Sequence, residues 1–113
     1  VMSERLLVDF DNTLTEDNVA YWEGERPEPD DTVVEAVTEQ YHRGKTVIVW
    51  TARPWSEAAR IAAHLTEWGV PYHGLRCEKG SGDLYVDDKA VQPALFAAQT
   101  EDEMTDTFEA VNR

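Results

Sequence analysis

The chain is poor in the residues that build cross-links and soft-metal sites. It has one cysteine, Cys77, so no intrachain disulfide can form. His42, His64 and His73 fall in different predicted elements, and no Cys/His cluster has the spacing of a zinc site. No apolar run approaches the length of a membrane span, and nothing at the N-terminus resembles a secretory leader. A cytoplasmic protein with no membrane partner is the expectation. Positive charge is also scarce. Ten basic residues stand against 23 acidic ones, and the net charge of −13 disfavours binding to nucleic-acid or anionic-membrane surfaces. Only Lys45, Lys79 and Lys89 are lysines. That balance fits a halophilic surface, where dense carboxylates hold water and salt screens their repulsion. There is no internal repeat and no low-complexity tract, so residues 1–113 read as one domain with a single core.

The most informative stretch is Leu6-Leu7-Val8-Asp9-Phe10-Asp11-Asn12-Thr13-Leu14. Three apolar residues predict a short buried strand, and two aspartates then stand at i and i+2. In extended backbone such a pair faces one side. Two close carboxylates repel unless a cation compensates them or one is protonated. The plain alternative is a polar turn, since Asp, Asn and Thr are good turn formers. The functional readings are a metal site, or a nucleophile beside an acid/base group.

Along the chain, residues 16–31 are polar and irregular and read as a functional loop with an aromatic tip at Tyr21-Trp22. A helix is expected from Thr32, with Glu35 completing a capping box and Val33, Val37 and Tyr41 inward, ending at Gly44. Thr46 to Trp50 predicts a second buried strand, followed by Thr51-Ala52-Arg53-Pro54. Ser56 is expected to cap a helix whose Ala58, Ile61, Leu65 and Trp68 face inward and which Gly69 ends. Val70 to Leu75 is a weaker strand candidate. Leu84-Tyr85-Val86 predicts another short buried strand, ending in Asp87-Asp88. Pro93 to Ala98 predicts a helical turn. A last helix capped by Thr100 carries Met104, Phe108 and Val111 inward. The alternation predicts an α/β fold with a parallel sheet, whose ligands lie beyond the carboxyl ends of the strands. Asp9, Asp11, Thr51, Asp87 and Asp88 all fall at such ends.

In this order the residues resemble the haloacid dehalogenase-like (HAD) phosphohydrolases. Asp9-Phe10-Asp11-Asn12-Thr13 matches the family's Asp-x-Asp-x-Thr motif. Thr51 matches the hydroxyl residue closing the second strand, Lys79 the lysine of the third motif, and Asp87-Asp88 the final acidic pair. The resemblance implies a three-layer Rossmann-like sheet flanked by helices. Neither inter-motif interval has room for a cap domain. It implies a Mg²⁺-dependent phosphomonoester hydrolase in which Asp9 is the nucleophile and Asp11 the general acid and base. Thr51 and Lys79 would bind the phosphate. Asp9, Asp87 and the Asp11 backbone carbonyl would hold the ion. Thr13, Arg53 and Asp88 are supporting or substrate-contacting candidates. Gly80 follows Lys79 where close relatives often carry proline, and Lys89 is the rival lysine, although it follows the acidic pair. Asp83 with Asp87 also fits a family variant, but the apolar strand after Asp83 favours Asp87. The substrate implied is a phosphorylated small molecule, with a sugar phosphate hinted at by the wording of the motifs. A neighbouring subunit could cover the open site. The alternative is a non-catalytic phosphate-binding or interaction module on the same fold.

Overall fold

The computed structural model describes residues 4–17, 19–80, 84, 86, 90–99, 103, 104 and 108. Three parallel strands form its centre: β1 (Arg5–Asp9), β2 (Thr46–Trp50) and β3 (Gly74–Arg76), in the order β1-β2-β3. Leu6 stands beside Val47, Val8 beside Val49, and Val49 beside Leu75. This register puts one apolar row on a single face, because paired residues of a parallel sheet share a side. Val8, Val47 and Val49 on that face are buried, whereas Leu7 on the other is 49% exposed.

Helix α1 (Asp31–His42) joins β1 to β2, and α2 (Ala58–Glu67) joins β2 to β3. Both crossovers move in the same direction along the sheet, so right-handed connections place both helices on one face. There Val33 and Val37 of α1 and Ile61 and Leu65 of α2 complete the core with the strand valines. The expected third layer does not appear among the described residues. Helix α3 (Pro93–Ala98) packs on α1, where Phe96 and Met104 are buried. The α/β class and the parallel sheet are as expected. No described helix is long and apolar enough to cross a membrane.

Several local expectations need correction. Helix α1 is capped by Asp30, whose carboxylate accepts from the Val33 amide at 3.4 Å and from the Thr32 hydroxyl at 2.7 Å. The carboxylate takes the orphan donor, so the hydroxyl expected to cap serves the cap instead. Ser56 caps nothing: it lies inside a 3₁₀ turn, Trp55–Glu57, that leads directly into α2. Leu84 and Val86 are 80% and 93% exposed and lie in no strand, although their apolar character predicted burial. β-Propensity alone does not create a strand without a partner, and among the described residues β1 pairs only with β2. Thr100 and Val111 of the last predicted helix lie outside the described residues, while Met104 and Phe108 are buried as expected.

His64 was not expected in the core. It lies buried on α2, stacked on Trp68 at 5.5 Å, and Trp68 in turn stacks on Phe10 at 5.8 Å. Burial, first, and the nearby Arg26, Arg53 and Arg60 hold its pKa below the ordinary 6.5, against the pull of Glu67. The unfolded chain therefore binds this proton more readily than the folded one. His64 contributes its full stability above pH 6.5 and loses it as pH falls through 6.5 toward the lower folded value. Thermal melts from neutrality downward should show the parent losing stability over this window more steeply than His64→Gln. Parallel curves would contradict it.

Candidate functional site

Asp9 is the last residue of β1, and the chain then makes one π-type turn, Phe10–Leu14, closed by the Thr15 amide on the Phe10 carbonyl at 3.1 Å. Phe10 and Leu14 are fully buried and fix both ends of this turn. Asn12 adopts left-handed backbone, φ 57°, which asparagine tolerates better than most residues. Its amide donates to the Thr15 hydroxyl at 2.8 Å, and that hydroxyl donates to the Asp17 carbonyl at 2.8 Å. Buried Thr15 thus closes the turn; Thr13, the expected supporting residue, makes no such bond. Only the threonine's position relative to the turn distinguishes the two, and the sequence does not display it.

The second and third parts of the site come from an extension of the β2–β3 ladder. Beyond the strand ends, the Thr51 amide donates to the Arg76 carbonyl at 2.9 Å. The Lys79 amide donates to the Thr51 carbonyl at 3.1 Å, and the Glu78 amide to the Arg53 carbonyl at 2.9 Å. Residues 51–53 and 76–79 are therefore held side by side. Glu78 sits at φ 60°, a strained position for a side-chain-bearing residue, and its carboxylate accepts from the Trp55 amide at 3.1 Å.

This backbone brings five of the predicted residues together. Lys79 Nζ lies 2.9 Å from Asp9 Oδ1, which also accepts from the Phe10 amide at 3.0 Å. The lysine also stands over the Trp50 ring at 4.7 Å. Arg53 grips Asp11 with a fork: Nε reaches Oδ2 at 2.9 Å and Nη2 reaches Oδ1 at 2.6 Å. The Thr51 hydroxyl accepts from the Arg53 amide at 3.1 Å and makes a long 3.5 Å approach to Asp11 Oδ2. Each carboxylate thus has its own cation, which removes the repulsion between two acids at one strand end.

Arg53 departs most from expectation. A substrate contact calls for a reachable side chain, yet this one is only 2% exposed. Its guanidinium lies between the Tyr21 ring at 4.2 Å and the Phe10 ring at 5.1 Å, and Nη1 is 3.7 Å from Glu57 Oε1 with no hydrogen bond of its own. Planar, weakly hydrated guanidinium suits this sandwich; an ammonium would not. Tyr21 and Glu57 are site residues that motif reasoning missed, although the aromatic tip at Tyr21 was visible.

Asp83, Asp87, Asp88 and Lys89 lie outside the described residues. Among the described residues no group of three or more His, Cys, Asp or Glu side chains gathers as a metal site. Cys77 is buried, and burial, reinforced by Glu78, pushes its thiol pKa upward, as suits a structural residue.

No family model matches this chain, and no curated protein does. A crystal structure of a target from Vibrio cholerae superposes on it with a TM-score of 0.77. The two are 27% identical, and the match covers 94% of this chain and 97% of that one. The fold is shared with that Vibrio cholerae protein.

Breaking the fork tests its structural weight. Arg53→Met should lower unfolding free energy by about 3 kcal/mol, the low end for a broken buried ion pair because Asp11 keeps some water. Arg53→Lys should recover little of it, since one ammonium cannot bridge both oxygens. Urea melts of the three proteins measure this, and parental stability in Arg53→Met would refute it.

Proposed function

We propose that this chain is a capless HAD-like phosphohydrolase that cleaves phosphomonoesters through an aspartyl-phosphate intermediate. The observation that carries the proposal is the meeting of Asp9, Asp11, Thr51 and Lys79 at the carboxyl ends of adjacent parallel strands, with a separate cation on each carboxylate. A phosphoryl transfer site needs an anionic nucleophile, an acid for the leaving alcohol and positive charge for the transferring group.

Asp9 is the nucleophile. Its Oδ1 is occupied by Lys79 and the Phe10 amide, which leaves Oδ2 to attack phosphorus. The bond from phosphorus to the ester oxygen breaks as Asp11 delivers a proton to that oxygen. A water then attacks the aspartyl phosphate, gives its proton to Asp11, and releases inorganic phosphate with Asp9 restored. Lys79 sits where it can neutralise phosphate oxygens beside Asp9. Thr51 holds the Arg53 amide and leans on Asp11, so it orients the acid and its clamp.

The donors present at the turn are oxygens only, which fits a hard ion such as Mg²⁺. Asp9 and the Asp11 carbonyl would hold it, with Asp87 as the third ligand from outside the described residues. When bound it would let an anionic nucleophile approach an anionic substrate.

One observation favours a second reading, a phosphate-binding module without turnover. Both Asp11 oxygens are engaged by Arg53, so the acid/base group must leave or share that grip to act.

A rapid-quench comparison of an aryl and an alkyl phosphate separates the two readings. The parent should hydrolyse both, lose activity with chelator and regain it with Mg²⁺. Asp9→Asn should turn over neither. Asp11→Asn should lose the alkyl ester by about 10²–10⁴-fold and accumulate phosphoenzyme from the aryl ester. No hydrolysis by the parent would leave the binding module. Alkyl turnover at the parental rate in Asp11→Asn would displace that residue from its role.

A further inference from the structure

The loop between the first turn and α1 does two different things with its two aromatic residues. Tyr21 packs inward, its ring 4.2 Å from the Arg53 guanidinium that grips Asp11. Trp22 stands edge-to-face on Tyr21, with centroids 5.1 Å apart and planes at 82°, and it is 73% exposed. An indole this open leaves apolar surface in water for no gain in folding.

The loop is braced rather than slack. The 3₁₀ turn Tyr21–Glu23 ends on Gly24 at φ 83°, a left-handed closure that glycine makes without strain. The Ala20 amide donates to Glu25 Oε2 at 2.6 Å. Two residues of α2 tie the loop down: Arg60 Nη1 donates to the Tyr21 carbonyl at 3.4 Å, and Glu67 pairs with Arg26. The indole is therefore presented at a fixed place, next to the residues that surround Asp11.

We infer that Trp22 is a stacking platform for the leaving group, and that the preferred substrates are phosphomonoesters of neutral, ring-bearing alcohols. The inference rests on the phosphohydrolase reading of the same site. The placement follows from the roles there: Asp11 protonates the leaving oxygen, so the alcohol portion extends from Asp11 past Arg53 and Tyr21. A flat apolar face at that end selects a ring over a linear chain. Its neighbours select charge. Glu16, Asp17, Glu23, Glu25 and Glu28 share this loop with one cation, Arg26, which is already paired with Glu67. A second phosphate or a carboxylate on the alcohol would be repelled, while hydroxyls would find acceptors. A sugar ring and a nucleoside both satisfy this chemistry.

Steady-state kinetics with Mg²⁺ test it on glucose 6-phosphate, adenosine 5′-monophosphate and linear glycerol 3-phosphate. Trp22→Ala should raise KM about three- to tenfold for ring-bearing esters at unchanged kcat and leave glycerol 3-phosphate unmoved, while Trp22→Phe should stay near the parent. A rise for one ring probe alone identifies its ring as the one accommodated. A uniform rise, or none, overturns the inference. If the parent hydrolyses nothing, the catalytic reading has failed, and calorimetric binding of the same three esters to metal-free protein decides this one separately. Ring preference abolished by Trp22→Ala upholds it; equal binding of ring and chain by the parent overturns it.

Discussion

A buried guanidinium needs partners, and Arg53 organises its surroundings by that requirement, with Nη1 alone left without a hydrogen bond. The side chain leaves the end of β2 and enters a space bounded by Phe10, Tyr21, Glu57 and Asp11. Taking a charge out of water costs several kcal/mol, and the fork to Asp11 offsets it only because both oxygens are met at once. The first turn, the aromatic loop and the start of α2 are thereby fixed to one group. Phe10 carries the coupling further, since it stacks on Trp68, which stacks on His64. The core beneath the site and the charge within it form one connected arrangement.

Lys79 and Asp9 form the other half with a different economy. Asp9 remains over a third exposed, and Lys79 brings a compact point charge to it over the Trp50 ring. An exposed carboxylate next to a cation suits a group that must meet an incoming anion. A part-buried one, held in a fork by a buried guanidinium, suits a group whose position matters more than its access. The two aspartates differ in environment although they are two residues apart, and the proposed division into nucleophile and acid/base partner draws on that difference.

The backbone devices that place these groups are few. A π-type turn bounded by buried Phe10 and Leu14 aims Asp11, and a ladder continued past the strand ends carries Lys79 back toward Asp9. The left-handed backbone at Asn12 and Glu78 marks where the chain departs from regular geometry, one on each side of the site. Strain of this kind persists where surrounding contacts over-determine it.

The sequence by itself determined the parallel α/β order, the two helices and their inward stripes, and the strand ends at Asp9 and Thr51. Those features follow from periodicity and turn chemistry, which are local. It also pointed to Asp9, Asp11, Thr51, Asp87 and Asp88 as one group, because ligand sites of parallel sheets gather at strand ends, while Lys79 joined them only through the family resemblance. Only the tertiary structure decided how the charges pair. Nothing local distinguishes a buried Arg53 from a surface arginine, since its burial depends on rings at Phe10 and Tyr21 supplied from distant sequence. The same holds for His64, buried by stacking on Trp68, and for Thr15, chosen over Thr13 by the turn. Leu84 and Val86 mark the converse: strand-like residues stay exposed where, among the described residues, no neighbouring strand pairs with them, because a strand is completed by its partner and not by its own side chains.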